Sequence, residues 1–227
     1  EKILPKINIG KLPIMLKSSV CVLSQNKHLN YKQTGECYMD CGGYFIIKGS
    51  EKTVLGQERA AENRIYCFDG KNTTKWSWFA EIKSVPDFKC ISPKQTEMMI
   101  ASKNNGFGHG LYISIPRIKN PIELFVIFRA FGILTDKDIC KYILLDLTND
   151  KNIKLLSYLQ ASIIDANKYQ SQEEALTYIT TYAAYTPINM DRDTGARKKR
   201  EFTIDVLNND LFPHCQTNQQ KLYLLGY

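Results

Sequence analysis

The stretch LYISIPRIKNPIELFVIFRAFG, at positions 111–132, contains the change of pattern that decides the fold. It opens with a short apolar run that is typical of a strand. Similar runs come before it, and Gly, Pro, Asn and Lys separate them from one another. From Asn120 the pattern becomes helical, because Asn120 suits the N-cap, Pro121 the first turn and Gly132 the left-handed residue after the helix. The sequence therefore predicts an α+β fold, with an antiparallel β-rich first half and a helical second half.

Short apolar runs before position 118 predict strands joined by turns. The run 42–55 predicts two strands with a turn at positions 49–51. A glycine-rich segment at 104–110 is followed by another strand-like run, whereas a phosphate-binding loop leads into a helix. We therefore interpret this segment as a hairpin loop. The remaining predicted strands cover positions 65–68, 76–82, 98–101 and 111–115.

Capping residues and apolar spacing predict further helices in the second half. Thr135 opens one helix, and another covers about 151–166. Ser171 and Thr217 are each followed three residues later by Glu or Gln, which is the capping-box pattern. A helix is also predicted over about 198–210. The predicted core residues are Phe125, Phe128, Phe131, Ile143, Leu156, Leu159 and Leu176.

The composition is that of a globular protein of 227 residues, with 44% hydrophobic and 23% charged residues. It excludes a disordered chain, and no apolar run is long enough for a transmembrane helix. Lysine and arginine outnumber aspartate and glutamate by 30 to 23, a formal net charge of +7. This charge permits a nucleic-acid or acidic-protein partner without requiring one. The start at Glu1, with neither an initiator Met nor a signal segment, suggests a piece of a longer protein.

The seven cysteines do not form a metal-binding pattern. Cys37 and Cys41 have the closest spacing, but no second pair accompanies them, so we expect no zinc site. We expect reduced and mostly buried thiols. Asn72-Thr73-Thr74 matches the glycosylation acceptor pattern, which we treat as a coincidence because no signal sequence precedes it.

Two other groups of residues invite a catalytic interpretation. Cys215 follows His214, but a nucleophilic pair needs a third group that orients the imidazole. Asp191 and Asp193 lie beside basic residues, where charge compensation explains them better than acid–base or metal chemistry. We therefore predict no catalytic residue and no cofactor in this chain.

An aromatic cluster offers a third candidate. Trp76 and Trp78 are two residues apart, which places them on one face of a strand, beside Phe79. Such a face stacks nucleic-acid bases in some proteins and belongs to the core in others, and we favour the core.

One dense run of positive charge consists of Arg197, Lys198, Lys199 and Arg200. We predict it in the first turn of the helix over 198–210, where positive charge opposes the helix dipole. It is either a solvated face offset by nearby acids or a contact to DNA phosphates or an acidic partner. These four residues are the candidate nucleic-acid or partner contact.

Several blocks, in collinear order, resemble the second-largest subunit of multisubunit DNA-directed RNA polymerases, the counterpart of bacterial β. The first two blocks are IGKLPIML at 9–16 and GGYFIIKGSEK at 42–52, and the GGYFII part of the second is specific to the family. The sequence departs from the cellular pattern at Cys41, where Met or Pro is usual, and in the variable loop at 69–74. The other blocks are 57–59, 118–122, 127–133, 210–214 and 224–227.

The resemblance implies the end of the protrusion over residues 1–54 and the lobe over residues 55–227. It implies a scaffold that lines the downstream cleft and docks initiation factors of the TFIIF type. The implied partners are the largest subunit, the other polymerase subunits and downstream DNA, with no membrane. The catalytic aspartates and Mg²⁺ of the full nucleotidyltransferase are expected on the largest subunit, so the family supplies no catalytic residue here.

The abundance of Asn, Lys, Ile and Tyr is typical of an AT-rich genome, such as that of a large DNA virus or a eukaryotic microbe. A cellular origin implies the nucleus, and a viral origin implies virus factories in the host cytoplasm and virions. Two competing functions stay open. One is an autonomous, non-specific nucleic-acid-binding module, which the net charge permits. The other is a stand-alone enzyme, either a hydrolase that uses Cys215 and His214 or one that uses Asp191 and Asp193.

Overall fold

The computed structural model describes residues 2–70, 75–87, 89–186 and 188–227. The glycosylation-like Asn72-Thr73-Thr74 lies outside these residues. Contacts along the chain separate a first unit, Glu1–Ala60, from a second unit, Ala61–Tyr227.

The first unit contains two short helices and one hairpin. The turn of the hairpin lies at Lys48 and Gly49, which both have positive φ. A two-residue hairpin turn of this kind requires left-handed backbone at both positions, so the predicted turn at 49–51 is one residue too late. Its elements are α1 (Val22–Gln25), α2 (Tyr31–Thr34), β1 (Phe45–Ile47) and β2 (Ser50–Lys52).

The second unit begins with a five-stranded sheet in which every neighbouring pair is antiparallel. The strands follow one another in sequence order, as expected for chain segments joined by turns. The glycine-rich segment connects the third and fourth strands of this sheet, which confirms the predicted hairpin loop. There the Asn104 side chain accepts hydrogen bonds from the Gly106 and Gly108 amides. The strands are β3 (Ile65–Asp69), β4 (Trp76–Ser84), β5 (Lys94–Asn104), β6 (His109–Ser114) and β7 (Ile122–Glu123).

A β-bulge at the start of β4 separates the two tryptophans. Trp76 pairs with Ala101, whereas Trp78 pairs with Ile100, so the register shifts between them. A bulge adds a residue to one strand and breaks the alternation of side chains between faces. Trp76 is half-buried, with its ring centroid 5.5 Å from that of Tyr112, and Trp78 is 53% exposed. The favoured interpretation as one core face is therefore wrong for Trp78.

Helices follow the sheet, which confirms the predicted α+β arrangement. Thr135 accepts a hydrogen bond from the Asp138 amide at the start of its helix. Ser171 and Thr217 form the predicted capping boxes. The helices are α3 (Leu124–Ala130), α4 (Asp136–Leu144), α5 (Asp150–Ala166), α6 (Gln172–Thr181), α7 (Arg192–Asp205) and α8 (Asn218–Gly226).

Helix α3 begins later than the predicted start at Pro121. Ile122 and Glu123 form β7 and pair with β6, so strand pairing decides their conformation and Glu123 becomes the N-cap. Gly132 has a φ of +94°, as expected after the end of a helix.

Helix α7 begins earlier than predicted, at Arg192 instead of 198. The Asp191 side chain accepts a hydrogen bond from the Thr194 amide at 3.1 Å and caps this helix. The interpretation of 191–195 as a loop is therefore wrong. The basic run lies in the middle of the helix, away from its positive end. After α7 the chain forms a π-helical turn, Val206–Asp210.

One hydrophobic cluster joins sheet residues to helix residues in the second unit. Four of the predicted core residues are buried, and three are partly buried and packed against the cluster. The buried residues are Phe125, Phe128, Leu159 and Leu176, and the partly buried ones are Phe131, Ile143 and Leu156.

A buried cation lies next to this cluster. Arg129 of α3 is 3% exposed and donates to the backbone oxygens of Ala166, at 2.6 Å, and Tyr169, at 2.7 Å. Its guanidinium also forms an ion pair with Asp136 of α4, at 2.6 Å. The guanidinium thus binds the last carbonyl of α5, which has no partner inside its own helix, and a carbonyl three residues beyond that helix.

Candidate nucleic-acid interface

The structure divides the four predicted contact residues on α7 into two pairs. Lys199 and Arg200 are half-buried, whereas Arg197 and Lys198 are exposed. An α-helix has 3.6 residues per turn, so consecutive side chains point in different directions. The run is therefore not a single charged face.

Lys199 and Arg200 connect α7 to α6. The Arg200 guanidinium binds both carboxylate oxygens of Glu173, with Nη2 at 2.5 Å from Oε2. The Lys199 ammonium donates to the Thr181 backbone oxygen at 3.1 Å, where the last carbonyls of α6 lack helical partners. The charged groups of these two residues already have partners within the chain.

Arg197 and Lys198 form no ion pair within the described part of the chain. Arg197 borders a groove of about 490 Å³ between α6 and α7, beside Thr177 and Thr180. Exposed cations of this kind can contact phosphates without sequence preference. Arg197 and Lys198 are thus the exposed half of the predicted site.

Asp191 and Asp193 serve the helix that carries the run. Hydrogen bonds from Thr194 hold the pKa of the Asp191 carboxyl below its ordinary value. Asp193 lies in the first turn of α7, where a negative charge interacts favourably with the helix dipole. Their positions are explained by helix capping.

His214 and Cys215 lie after the π-helical turn. The Cys215 sulfur is 3.7 Å from His214 Nε2, and His214 Nδ1 hydrogen-bonds to the Ser84 hydroxyl of β4. Burial raises the pKa of the Cys215 thiol and lowers the pKa of His214, so both groups favour their neutral forms. A cysteine nucleophile requires the thiolate form, which a neighbouring cation stabilises. Lys221 lowers the pKa of the Cys215 thiol, but burial raises it more, so the environment of this pair argues against the hydrolase alternative.

All seven cysteines are free, and most of them are not buried. The expectation of mostly buried thiols is wrong, because several cysteines lie in loops of the first unit or on the edge strand β3. Cys21 and Cys140 are buried, Cys215 is half-buried, and Cys37, Cys41, Cys67 and Cys90 are exposed.

The described ranges contain neither a group of metal ligands nor a helix that could span a membrane. Within them, no three side chains from His, Cys, Asp and Glu group together as metal ligands. None of their helices is both long and apolar enough to cross a membrane.

Comparison with known proteins decides the family. Residues 1–184 match the family model "RNA polymerase beta subunit". The chain belongs to this family. The resemblance to polymerase second-largest subunits that the sequence blocks indicate is thereby confirmed.

The similar proteins within the family come from cells and from a virus. DNA-directed RNA polymerase II subunit 2 of Arabidopsis thaliana is 33% identical over 98% of this chain. Subunit RPB2 of the RNA polymerase II of Encephalitozoon cuniculi is 34% identical over 98% of this chain. DNA-directed RNA polymerase subunit 2 of Acanthamoeba polyphaga mimivirus is 29% identical over 92% of this chain. The chain spans 19%, 19% and 17% of the lengths of these three relatives.

Two of the family-like blocks, 9–16 and 42–52, meet in the first unit. The Leu16 amide donates to the Tyr44 oxygen and the Gly43 amide to the Leu16 oxygen, each at 2.9 Å. Gly42 has a φ of +68°, and a Cβ there would lie 2.7 Å from the Leu16 oxygen. No larger residue fits this position, so the structure explains why the block has a glycine here.

Another family-like block, 210–214, joins the helices to the sheet. Asp210 is 5% exposed and pairs with Lys94 at 3.0 Å and Arg117 at 3.2 Å. The His214 amide donates to the Ser84 hydroxyl at 3.2 Å. These contacts give the block a structural role.

Proposed function

We propose that the chain serves DNA-templated transcription as part of the second-largest subunit of a DNA-directed RNA polymerase. The observation that carries this proposal is the similarity to polymerase subunits over 98% of the chain. Residues 1–54 would form the end of the protrusion and residues 55–227 the lobe.

The chain would act as a scaffold and leave nucleotidyl transfer to the assembled enzyme. The Mg²⁺ of the polymerase would lie on the largest subunit. The described residues do not fit a catalytic metal, since they contain no group of three suitable ligands.

The proposed partners are the largest subunit, the other polymerase subunits, downstream DNA and initiation factors of the TFIIF type. The scaffold would line the downstream cleft. The compartment would be the nucleus for a cellular enzyme, or the virus factory and the virion for a viral one.

The proposed DNA contact consists of Arg197 and Lys198. Both side chains are exposed, and neither forms an ion pair with any residue that the structure describes, which supports this role. Lys199 and Arg200, in contrast, are bound to α6. Each phosphate contact lowers the slope of log K against log salt by about 0.9 on B-DNA. We expect weak, non-specific binding by the 227-residue chain, with a Kd on the order of tens of micromolar or weaker at physiological salt, at the weak end of the range typical of non-specific DNA binding.

Two matched double variants test this contact by fluorescence anisotropy with two unrelated duplexes. Arg197→Ser with Lys198→Ser removes two exposed charges and should flatten the salt slope by up to about 2. Lys199→Ser with Arg200→Ser removes the same net charge from the α6 contact, and it should change the slope less and lower the thermal stability more.

Other results would contradict the proposal in different ways. Equal slopes for the wild type and the Arg197/Lys198 variant would reduce the run to a solvated face. Tight binding to both duplexes, with no preference between them, would favour an autonomous, non-specific nucleic-acid-binding module. Template-dependent NTP incorporation by the chain alone would overturn the proposed division of labour.

A further inference from the structure

A cavity of about 680 Å³ lies in the second unit, where the sheet meets the region of α5 and α6. Its volume falls in the range of small-molecule and side-chain pockets. Six of the residues that line it come from β4, β6, β7, α5, α6 and the residue after α6. The cavity therefore forms only when the second unit is folded. These six residues are Trp76, Tyr112, Glu123, Asp165, Tyr178 and Tyr182.

Two carboxylates border this cavity. Lys168 lies near enough to Glu123 to lower the pKa of its carboxyl, but burial raises that pKa more. Glu123 Oε1 accepts from the Tyr178 hydroxyl at 3.2 Å, while Oε2 is enclosed and has no hydrogen-bond partner among the described residues. Asp165 accepts from Asn105 at 2.8 Å and from the Tyr112 hydroxyl at 3.2 Å. Neither carboxylate forms an ion pair within the described ranges.

The enclosed carboxylate is energetically costly as it stands. Burial raises the pKa of Glu123, and it also raises the pKa of Tyr178 and brings that of Tyr112 to about 12. A half-buried carboxylate oxygen without a donor loses hydration and gains nothing in return. Rotation about the last side-chain torsion of Glu, which is broad, can turn this oxygen toward the cavity. The missing group is therefore a hydrogen-bond donor, preferably a charged one.

Aromatic rings line the same space. The Tyr178 ring is 5.3 Å from that of Tyr182, and the Tyr112 ring is 5.5 Å from that of Trp76, measured between centroids. Ring faces attract cations, most strongly where water is excluded. Carboxylates combined with several rings thus favour a flat organic cation over an anion.

Two lysines also border the cavity, and they limit where a ligand cation can bind. Lys75 and Lys103 are both exposed, and the Lys75 ammonium is 4.9 Å from the centre of the Trp76 ring. Exposed charges are screened by water and salt, whereas the charge on half-buried Glu123 is screened less. A ligand cation would therefore bind at the Glu123 and Tyr178 end, away from Lys75.

We propose that this cavity binds the guanidinium group of an arginine side chain from a protein that docks on this face of the second unit. A guanidinium is planar, stacks on tyrosine rings and donates in a fork to carboxylates, whereas an ammonium is a compact point charge. The occupant is therefore an arginine-bearing protein segment. This inference does not depend on the DNA contact of α7, because the two sites share no residue.

The chemistry is tested with blocked tripeptides that differ at one side chain. Acetyl-Gly-Arg-Gly-amide, its citrulline analogue and its lysine analogue are titrated into the isotope-labelled 227-residue chain and followed by NMR. Citrulline has nearly the shape of arginine but no charge. We expect the arginine peptide to shift the amide signals of residues around Glu123 and Tyr178 and to bind about tenfold more tightly than the citrulline peptide. The lysine peptide should bind with intermediate affinity.

Variants assign the binding to the enclosed carboxylate. Glu123→Gln keeps the shape and should weaken the arginine peptide about tenfold, with a smaller loss for Asp165→Asn. Glu97→Gln, an acidic position of β5 outside the cavity, is the matched control and should leave the affinity unchanged. The citrulline comparison keeps the test valid if a cavity variant fails to fold.

Three outcomes would overturn the proposal. They are equal affinity for the arginine and citrulline peptides, equal affinity of the wild type and Glu123→Gln, and absence of shifts at the cavity. Shifts produced equally by a free nucleoside would point to a pocket for neutral aromatic ligands. None of these results would affect the salt-slope test of α7, so failures of the two proposals are distinguishable.

Discussion

The two units of this chain bury apolar side chains to very different extents. In the second unit Ile122, Phe125 and Phe128 are fully enclosed, whereas among residues 2–60 Cys21 alone is buried. In the first unit Ile9 is 100% exposed. Burial of apolar surface is the main stabilising contribution to folding. We therefore expect the second unit to fold cooperatively, and we expect the first unit to depend on other protein surface.

The largest effect should come from truncating an aromatic side chain in the second unit. Phe128→Ala should lower the free energy of unfolding by about 3–5 kcal/mol, since it removes a fully buried ring and leaves a cavity. The matched change Phe45→Ala, in β1 of the first unit, should leave the unfolding midpoint of the second unit almost unchanged. Urea denaturation followed by near-UV circular dichroism measures both. Similar losses for the two variants would mean that the units fold as one.

The next effect should come from the buried cation. Arg129→Met should cost about 3 kcal/mol, because it removes the cation that pairs with Asp136 and the side-chain donor to the Ala166 and Tyr169 oxygens. The first unit supplies a counterpart, since Lys17 also donates to a backbone oxygen, that of Asp40. Lys17→Met should shift the main thermal transition much less, because Lys17 contacts no core. If Arg129→Met left the stability of the second unit unchanged, then α3, α4 and α5 would not need this connection.

The sequence predicts the elements of the second unit where local chemistry decides them. Caps at Thr135, Ser171 and Thr217 depend on side chains three residues apart, and these positions are confirmed. The start of α3 was not predictable in this way, because Glu123 pairs across the sheet with Tyr112. The exposure of Trp78 depends on a bulge, which leaves no clear local pattern.

The candidate sites show the same limit. The basic run on α7 is visible in the sequence, but the contact that removes Arg200 from it comes from Glu173 on another helix. The cavity was not predictable at all. Its carboxylates, Glu123 and Asp165, are 42 positions apart in the printed sequence, and neither belongs to a motif. Only the packing of the sheet against the helices places them at one cavity.

The smallest expected effect is a pH dependence confined to the second unit. Burial is the main reason that the pKa of His214 is lowered, with Lys221 lowering it and Asp87 raising it to lesser extents. The unfolded chain therefore takes up a proton near pH 6.5 while folded His214 resists it, so the second unit should lose stability as the pH falls below about 6.5.

His214→Gln should reduce this loss and keep a hydrogen-bonding group near Ser84. His28→Gln, at an exposed position of the first unit, is the control and should leave the loss unchanged. Glu123 acts in the opposite direction, because its raised pKa favours the folded state as the pH falls, but it is present in all three proteins. The difference in melting temperature between the wild type and His214→Gln, measured from pH 7.5 to 5.5 in about equal steps, thus isolates the histidine. A difference that stays constant over this range would mean that His214 titrates alike in the folded and unfolded chains.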